Sequence, residues 1–582
     1  EGKQYFIKEI KWVGNTIQPT WMLQAVLNMK PGDVYNQKKL TERLSVDDDA
    51  VMNLYYQNKG YIFSNADPVE VNLDNDSVDL EIRITEGPQA SIRKVTISGN
   101  DRVYEDIVRR ELRIKPGALY SRDDIIRSLR EIAQTGHFDP ENLNPGIVPD
   151  PEAGVVDVSL PLASKANDQV EFSAGWGQTG VIGKLSLKFS NFSIKNLLNP
   201  KSYKGIIPQG EGQTLVLSAQ TNAKYYQSYS MSFMDPWFGG KRPNSLSVGA
   251  YYSKQTDINS RYLNNAYGMY NPYSSYGYGY GYGGGYGGDY SIGADPNKSI
   301  QMIGASVGYG KRLSWPDDYF YAQAELSYQL YRMKDWAYFI VKDGTANNLS
   351  LNLSLNRRSI DNPVYTRRGT DISLSLQITP PFSMWDGKDY AAMPLIDNYY
   401  ESPDKFKWIE YHKWKFKAKT FTSLYDTKRT PVLMTRAEYG FVGYFNKDKK
   451  SPFETFYMGG DGMSGYSSTY ATETIGLRGY ENGSLGTQAS AYTRLALELR
   501  YPLILEPSST IYLLTFVEAG NAWRDLNKFN PLDLKRSAGV GARIMLPMIG
   551  LMGIDWSYGF DAINGARNYS GGQFHYVIGQ KV

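Results

Sequence analysis

Gly476-Leu477-Arg478-Gly479-Tyr480 sets one guanidinium between two glycines. Such a side chain keeps its charge and offers five N–H donors in a rigid fork, which suits a bidentate carboxylate anchor. The glycines mark a turn or loop. Five alternating strands follow it, and two of them carry acidic residues that could receive the charge. Other chemistry is sparse. Gly304-Ala305-Ser306-Val307-Gly308 has the G-x-S-x-G spacing of a serine nucleophile, but it lies inside a stretch of strict alternation and not at a strand-to-helix turn. The three histidines, His137, His412 and His575, are too few to argue for a Ser-His-acid triad. Gly279, Gly281 and Gly284 match G-x-G-x-x-G with no strand feeding them and no helix after them, which argues against a dinucleotide site. Asp74-Asn75-Asp76 lacks the Gly and Glu of a calcium loop and reads as a hairpin tip. There is no cysteine, so disulfide frameworks and thiolate metal sites are excluded. Neither a metal nor a cofactor is expected, and the chain is read as a non-enzyme.

The arginine sits near the end of a long polar connection, and that connection interrupts a long run of period-2 alternation. Leu349, Leu351, Leu353 and Leu355 alternate with Ser350, Asn352, Ser354 and Asn356; Ile372, Leu374, Leu376 and Ile378 do the same with Ser373, Ser375, Gln377 and Thr379. Period 2 argues for half-buried strands. The pattern predicts strands over 169–178, 180–190, 212–223, 225–235, 245–256, 299–311, 317–334, 346–358, 369–379, 407–423, 431–445, 488–501, 509–519, 535–547, 550–560 and 572–582. That even set of about 16, with no helix-like stretch from 168 onward, exceeds a usual sandwich and points to an antiparallel transmembrane β-barrel, which has no exposed edges. Connections 257–298, 380–406 and 446–487 are long and fall after odd-numbered strands, as external loops should. The rule is imperfect, since the first connection is tight and the second is not. Within the first long loop, 265–290 is low-complexity Tyr/Gly sequence and reads as a surface loop.

Composition agrees. Tyr (47) far outnumbers Phe (22), and Tyr suits a membrane–water boundary. No run of 18 apolar residues predicts a spanning helix. A net charge of +3 gives no footprint for nucleic acid. Glu1 opens directly into Tyr5-Phe6-Ile7 with no signal peptide, so a mature or truncated chain is expected.

Ahead of the barrel the sequence repeats itself. Gly14-Asn15 recurs as Gly99-Asn100, Pro31-Gly32 as Pro116-Gly117, Tyr35 as Tyr120 and Leu44 as Leu129, a constant offset. Each copy reads as a strand, a short helix (Met22 to Leu27; Ile107 to Leu112), a second, longer helix closed by Gly60 or Gly136, and two strands. This β-α-α-β-β order is an α+β module. The predicted domains are 1–88, 89–166 and 167–582.

The two modules resemble POTRA domains. Together with the barrel and Leu477-Arg478-Gly479-Tyr480, they make the whole chain resemble the outer-membrane β-barrel assembly (insertase) family. The motif matches that family's [VL]-R-G-[FY] signature on the sixth external loop. Glu518-Ala519-Gly520-Asn521-Ala522-Trp523, Arg536-Ser537-Ala538-Gly539-Val540-Gly541 and Gln573-Phe574-His575-Tyr576-Val577-Ile578-Gly579 match further along. The resemblance implies an outer-membrane barrel with its modules in the periplasm. It also implies unfolded outer-membrane proteins as clients, accessory lipoproteins docked on the modules, a lipid bilayer around the barrel and no nucleic acid. Members often carry five modules, so this chain would hold the two next to the membrane. Arg478 would anchor its loop to Glu498 and Glu518. Glu498 shares lumen parity with Arg494 and Ala496. Glu518 shares parity with Leu514 and Phe516, so alternation alone places it outward and a bulge near Gly520 would be needed. The first and last strands would form a weak seam, with Val170, Phe172, Gly175 and Gly177 on one side and Phe574, Tyr576, Ile578 and Gly579 on the other; glycines loosen strand packing. The chain ends Gln580-Lys581-Val582, without the terminal aromatic common in the family. Client insertion through this seam would need no nucleotide hydrolysis. The alternative within the same architecture is a two-partner secretion translocator that exports a dedicated client.

Overall fold

The structure is a computed structural model that describes residues 4–47, 49–139, 142–164, 168–177, 180–203, 207–222, 226–240, 242–257, 295–336, 340–362, 365–397, 399–425, 427, 429–460, 473–481, 483–506, 509–546, 550–563 and 570–578. The Tyr/Gly segment, the chain's last residues and Gly579 lie outside the described residues. Glu1–Asp168 with Phe189–Gln213 form one compact unit, and Gln169–Lys188 with Thr214–Val582 form another.

In the first unit the repeat is structural. β1 (Phe6–Val13), α1 (Thr20–Leu27), α2 (Gln37–Thr41), α3 (Val51–Tyr55), β2 (Asn65–Asp74) and β3 (Ser77–Thr85) make one module; β4 (Ser91–Ser98), α4 (Glu105–Arg109), α5 (Arg122–Gln134), β5 (Gly146–Asp150) and β6 (Val155–Pro161) make the other. Each sheet has the last strand in the middle, in the orders β1-β3-β2 and β4-β6-β5, with the outer pair parallel and antiparallel to it respectively. The central strands bury every second residue, Val78, Leu80, Ile82 and Ile84 in one and Val156, Val158 and Leu160 in the other, beneath the helices. Asn36 and Ser121, at the repeat offset, both cap their helices by accepting a backbone N–H, from Lys39 and Asp124. Gly14 and Gly99 have φ of +88° and +78°, and a Cβ on either would meet a strand carbonyl, Ile84 O at 2.2 Å or Leu162 O at 1.8 Å. The longer helix differs between copies. It is continuous in α5 but broken in the first module after a π-type turn at Glu42–Val46, where Asn53 Nδ2 donates to Ser45 O and Asp47 O. Asp74-Asn75-Asp76 is the β2–β3 hairpin tip, with Asn75 at φ +56°.

The second unit is a 16-stranded antiparallel sheet. Its strands are β7 (Gln169–Gly177), β8 (Gly180–Phe192), β9 (Gln213–Asn222), β10 (Tyr226–Asp235), β11 (Asn244–Asp257), β12 (Asp295–Arg312), β13 (Phe320–Lys334), β14 (Gly344–Arg358), β15 (Gly369–Ile378), β16 (His412–Ser423), β17 (Val432–Gly443), β21 (Ala491–Glu506), β22 (Ser509–Trp523), β23 (Lys535–Leu546), β24 (Gly550–Gly559) and β25 (Gly571–Ile578). Three short strands, β18 (Phe456–Met458), β19 (Glu473–Ile475) and β20 (Gly486–Ala489), form a separate small sheet within the long connection 444–490. Neighbours in the large sheet follow chain order, and β7 and β25 are its two ends; among the described residues no ladder joins them. Burial is inverted relative to a water-soluble sheet. Leu351 and Leu353 are about 40% exposed (38% and 42%), whereas Asn348 and Ser350 are buried (1% and 2%). Apolar residues face outward to lipid and polar ones face the lumen. The G-x-S-x-G match lies mid-strand in β12, as its alternation requires.

The long second connection also has its reason. Residues 189–213 belong to the first unit, where Asn191 Nδ2 donates to Arg102 O, Tyr104 N to Gly210 O, and Asn196 Nδ2 to Tyr104 Oη. A turn that docks on the second module has a job that a plain hairpin lacks.

Candidate functional site

Arg478 bonds to lumen-facing side chains of three strands, β21, β22 and β24. Its backbone N–H donates to Glu518 Oε2 at 3.0 Å. Nε and Nη2 donate to Glu518 Oε1 at 3.1 and 2.7 Å, Nη2 to Glu498 Oε2 at 3.1 Å, and Nη1 to Asp555 Oδ2 at 3.1 Å. Its Cζ stacks 3.4 Å from the Phe516 ring centroid. Each carboxylate holds a second arginine: Arg494 on Glu518, Arg500 on Glu498, and Arg543 bidentate on Asp555. All these groups are buried or nearly so, and Glu518 is 0% exposed. Desolvation of so many ions is offset only because every carboxylate is shared between cations in hydrogen-bonding geometry.

The register builds this cluster. Glu498 faces Phe516 across β21–β22, Ala496 faces Glu518, and Gly541 faces Asp555 across β23–β24. The ladders are in continuous register around Glu518 and Gly520; the register shift in the β21–β22 ladder lies far from them, between Pro502 and Ile504. Glu518 therefore points inward by simple alternation, and the expected bulge near Gly520 is not there. Leu514 and Phe516 mislead the parity reading because they also face the lumen, 4% and 2% exposed, where Phe516 floors the guanidinium. Gly539 and Gly541 leave space for it: a Cβ would meet Phe516 Cζ at 2.6 Å or Asp555 Oδ1 at 1.8 Å.

The rest of the motif is tied down as well. Gly479, at φ +89°, runs against the wall so closely that a Cβ would meet Ser537 Cβ at 2.8 Å, and its N–H donates to His575 Nε2 at 2.9 Å. Tyr480 Oη donates to Arg536 O at 2.6 Å, and both Tyr480 and Leu477 are fully buried. A hydrophobic core joins Leu477, Tyr480, Ile475, Phe456 and Met458 of the connection to Tyr492 and Tyr331 of the wall.

A family model for the Omp85 superfamily domain matches residues 209–582. The chain belongs to the Omp85 superfamily. A POTRA model, described as a surface antigen variable number repeat, matches 5–87 and 90–161 of this Omp85 chain. Outer membrane protein assembly factor BamA of Neisseria meningitidis serogroup B is 24% identical over 565 residues, covering 90% of this chain and 58% of that protein. The BamA of Nitratidesulfovibrio vulgaris is 22% identical over 597 residues, covering 100% and 62%. The chain thus spans about three-fifths of the length of these relatives. Among solved structures, BamA from Haemophilus ducreyi lacking POTRA domains 1-3 aligns with a TM-score of 0.53 at 17% identity, covering 98% of this chain and 99% of that one. CdiB from Escherichia coli aligns with a TM-score of 0.53 at 13% identity, covering 99% and 90%. At these identities the structural likeness shows the fold alone. The Omp85 barrel lies in the outer membrane, with the POTRA modules on the periplasmic side.

Of the residues singled out in the sequence, the Omp85 structure brings Leu477, Arg478, Gly479, Tyr480, Glu498 and Glu518 together. The seam residues fall on the two end strands of the sheet order. Val170, Phe172, Gly175 and Gly177 are on β7; Phe574, Tyr576 and Ile578 are on β25. Val170 and Phe574 point outward, 65% and 63% exposed. Sequence reasoning missed Asp555, Arg500 and Arg543, and it gave Arg494 lumen parity without pairing it to Glu518. It also missed His575 as an acceptor for the loop. A second cluster had a visible signal. Lys413, Lys415 and Lys417 recur at period 2 along β16, and all converge on Glu473 of the loop, at 3.6, 2.9 and 3.1 Å. Lys413 also meets Glu454 at 3.3 Å.

Proposed function

We propose that this chain is the membrane subunit of an outer-membrane β-barrel assembly machine. It captures unfolded outer-membrane proteins and inserts them through the seam between β7 and β25 without nucleotide hydrolysis. The observation that carries this reading is the loop buried in the lumen, with Arg478 held by three carboxylates. A lumen filled by a packed, ion-paired segment is poorly suited to be an open conduit, so the wall and its ends are left to do the work. The two ends of the sheet order, β7 and β25, are the strands whose parting would offer an edge to a client strand. The POTRA sheets have outer strands of their own, β1, β2, β4 and β5, suited to transient strand addition by clients and to docking of accessory lipoproteins. The Arg478 cluster and its Glu498 and Glu518 acceptors set the loop's position and act on assembly through it, as positioning groups.

Depleting the protein in its host tests this. Loss of outer-membrane barrel proteins as a class is expected; loss of one exported protein alone would overturn it. The CdiB-like fold keeps one rival in view, a translocator for a dedicated client. Planar-bilayer conductance separates the two: the assembly reading expects little steady current, and the translocator reading expects a sustained one.

A further inference from the structure

The outward face of the sheet carries a notch near its external rim. Along one cross-strand row Trp414, Phe441, Ala491 and Trp523 stand side by side on β16, β17, β21 and β22. Three large aromatics thus flank one methyl group. The next row below pairs Leu374, Phe416 and Tyr439, all exposed. The connection after β22 then turns back over the notch. Phe529 packs edge-on against Trp523 with ring centroids 4.8 Å apart, and Leu526 and Phe529 both line the hollow beneath. The result is a cavity of about 270 Å³, lined almost entirely by apolar atoms. Such a lining offers water almost no hydrogen-bond partners.

We propose that this notch binds an acyl chain of an outer-leaflet lipid of the surrounding bilayer. The site is continuous with the lipid-facing belt, lies at the ends of β16, β17, β21 and β22 that lead into external connections, and offers water almost no partners, so hydrocarbon from the adjoining leaflet is what fills it. Ala491 recesses the wall here and the Leu526–Phe529 turn roofs it, so a chain is contacted on three sides. Tyr492 and Lys415, which also line the notch, belong to the same strands that hold the buried loop.

The full chain in nanodiscs of phosphatidylethanolamine and phosphatidylglycerol, with a trace of phosphatidylethanolamine bearing a diazirine on its acyl chain, tests this. After illumination, peptides carrying Trp414–Phe416 and Leu526–Phe529 should be labelled several-fold more than the equally exposed outward face of β13 and β14, where Leu326, Leu351 and Leu353 stand. Ala491→Phe, which fills the notch, and Leu526→Asn with Phe529→Asn, which unroofs it, should each bring that labelling down to the level of β13 and β14. Heat-modifiable migration on a gel confirms that each barrel is folded, and either folded variant decides the matter. Even labelling around the belt, or enriched labelling that survives in a folded variant, overturns the proposal.

Discussion

Removing the Arg478 side chain leaves Glu518, Glu498 and Asp555 buried with one arginine each in place of two. Breaking such a buried network costs ~3–5 kcal/mol, and since each carboxylate keeps a partner we expect Arg478→Ala near the lower end, read from urea unfolding of the loop-bearing unit. Arg478→Lys should not rescue it, because one ammonium cannot span three carboxylates while stacking on Phe516. Phe516→Leu keeps the ions and loses the stack, which is worth up to ~2 kcal/mol when desolvated. Protease resistance of the loop together with normal client assembly in Arg478→Ala would refute its role as an anchor. In the first module Glu86 is the residue to titrate. It accepts from Thr16 Oγ1, from Ile17 N at 2.8 Å and from Tyr56 Oη at 3.0 Å. Burial acts to raise its pKa, but these hydrogen bonds outweigh it and hold the carboxyl below its ordinary value. A depressed folded pKa stabilises the module above the unfolded pKa of ~4.3 and loses that contribution as pH falls through the folded value. Protection factors for hydrogen exchange around Ile17 and Tyr56, corrected for the intrinsic pH dependence of the amides, should therefore fall as pH drops below the unfolded value in the wild type, while Glu86→Gln should already show reduced protection at neutral pH that changes little with acid. Arg478 was legible in the sequence because glycines flag it; Asp555 was not, because one acidic residue on an alternating strand carries no local mark.

At the scale of elements, the loop is fixed at two places of opposite polarity: a guanidinium among wall carboxylates, and Glu473 among wall amines. Glu473→Lys should place four amines together and expose the loop between β18 and β20 to protease, and adding Lys415→Glu should restore part of the protection. Insensitivity of the loop to Glu473→Lys would assign its position to Arg478 and the hydrophobic core alone. The modules offer a paired test. Gly117 has φ +85° with open space at its Cβ, so Gly117→Ala costs only the left-handed strain of ~1–2 kcal/mol. Gly99→Ala adds a clash with Leu162 O and should destabilise the second module more, as measured by hydrogen exchange of β4 and β6. Strand positions were largely legible because a lipid-facing wall imposes period 2 on every span. The break between α2 and α3 was not: Asn53 stitches the chain to Ser45 and Asp47 through contacts that propensity does not encode.

At the scale of the molecule, the proposed mechanism needs β7 and β25 to part. The chain has no native cysteine, so Ser173→Cys with Val577→Cys introduces the only thiols. Oxidation of that pair should stop client insertion and reduction should restore it; unimpaired insertion in the crosslinked protein would remove a required opening. By itself the sequence determined the architecture: two repeats of an α+β module, then sixteen strands with polar and apolar residues alternating. Periodicity and repeat offset are properties of the chain alone, set by how a helix turns and a strand pleats. It also marked the arginine and two of its acceptors. Tertiary structure alone decided what surrounds that arginine. Inward and outward are opposite faces of one pleat, and Leu514 and Phe516 show that an apolar side chain can belong to either. Only the register of β21 to β24, with the loop before β21 folded back against it, shows that Glu518 faces inward without a bulge, that Asp555 joins it, and that Phe516 lies beneath the charge. Contacts between strands tens of residues apart are chosen by packing and ion pairing across the lumen, and no local pattern records them.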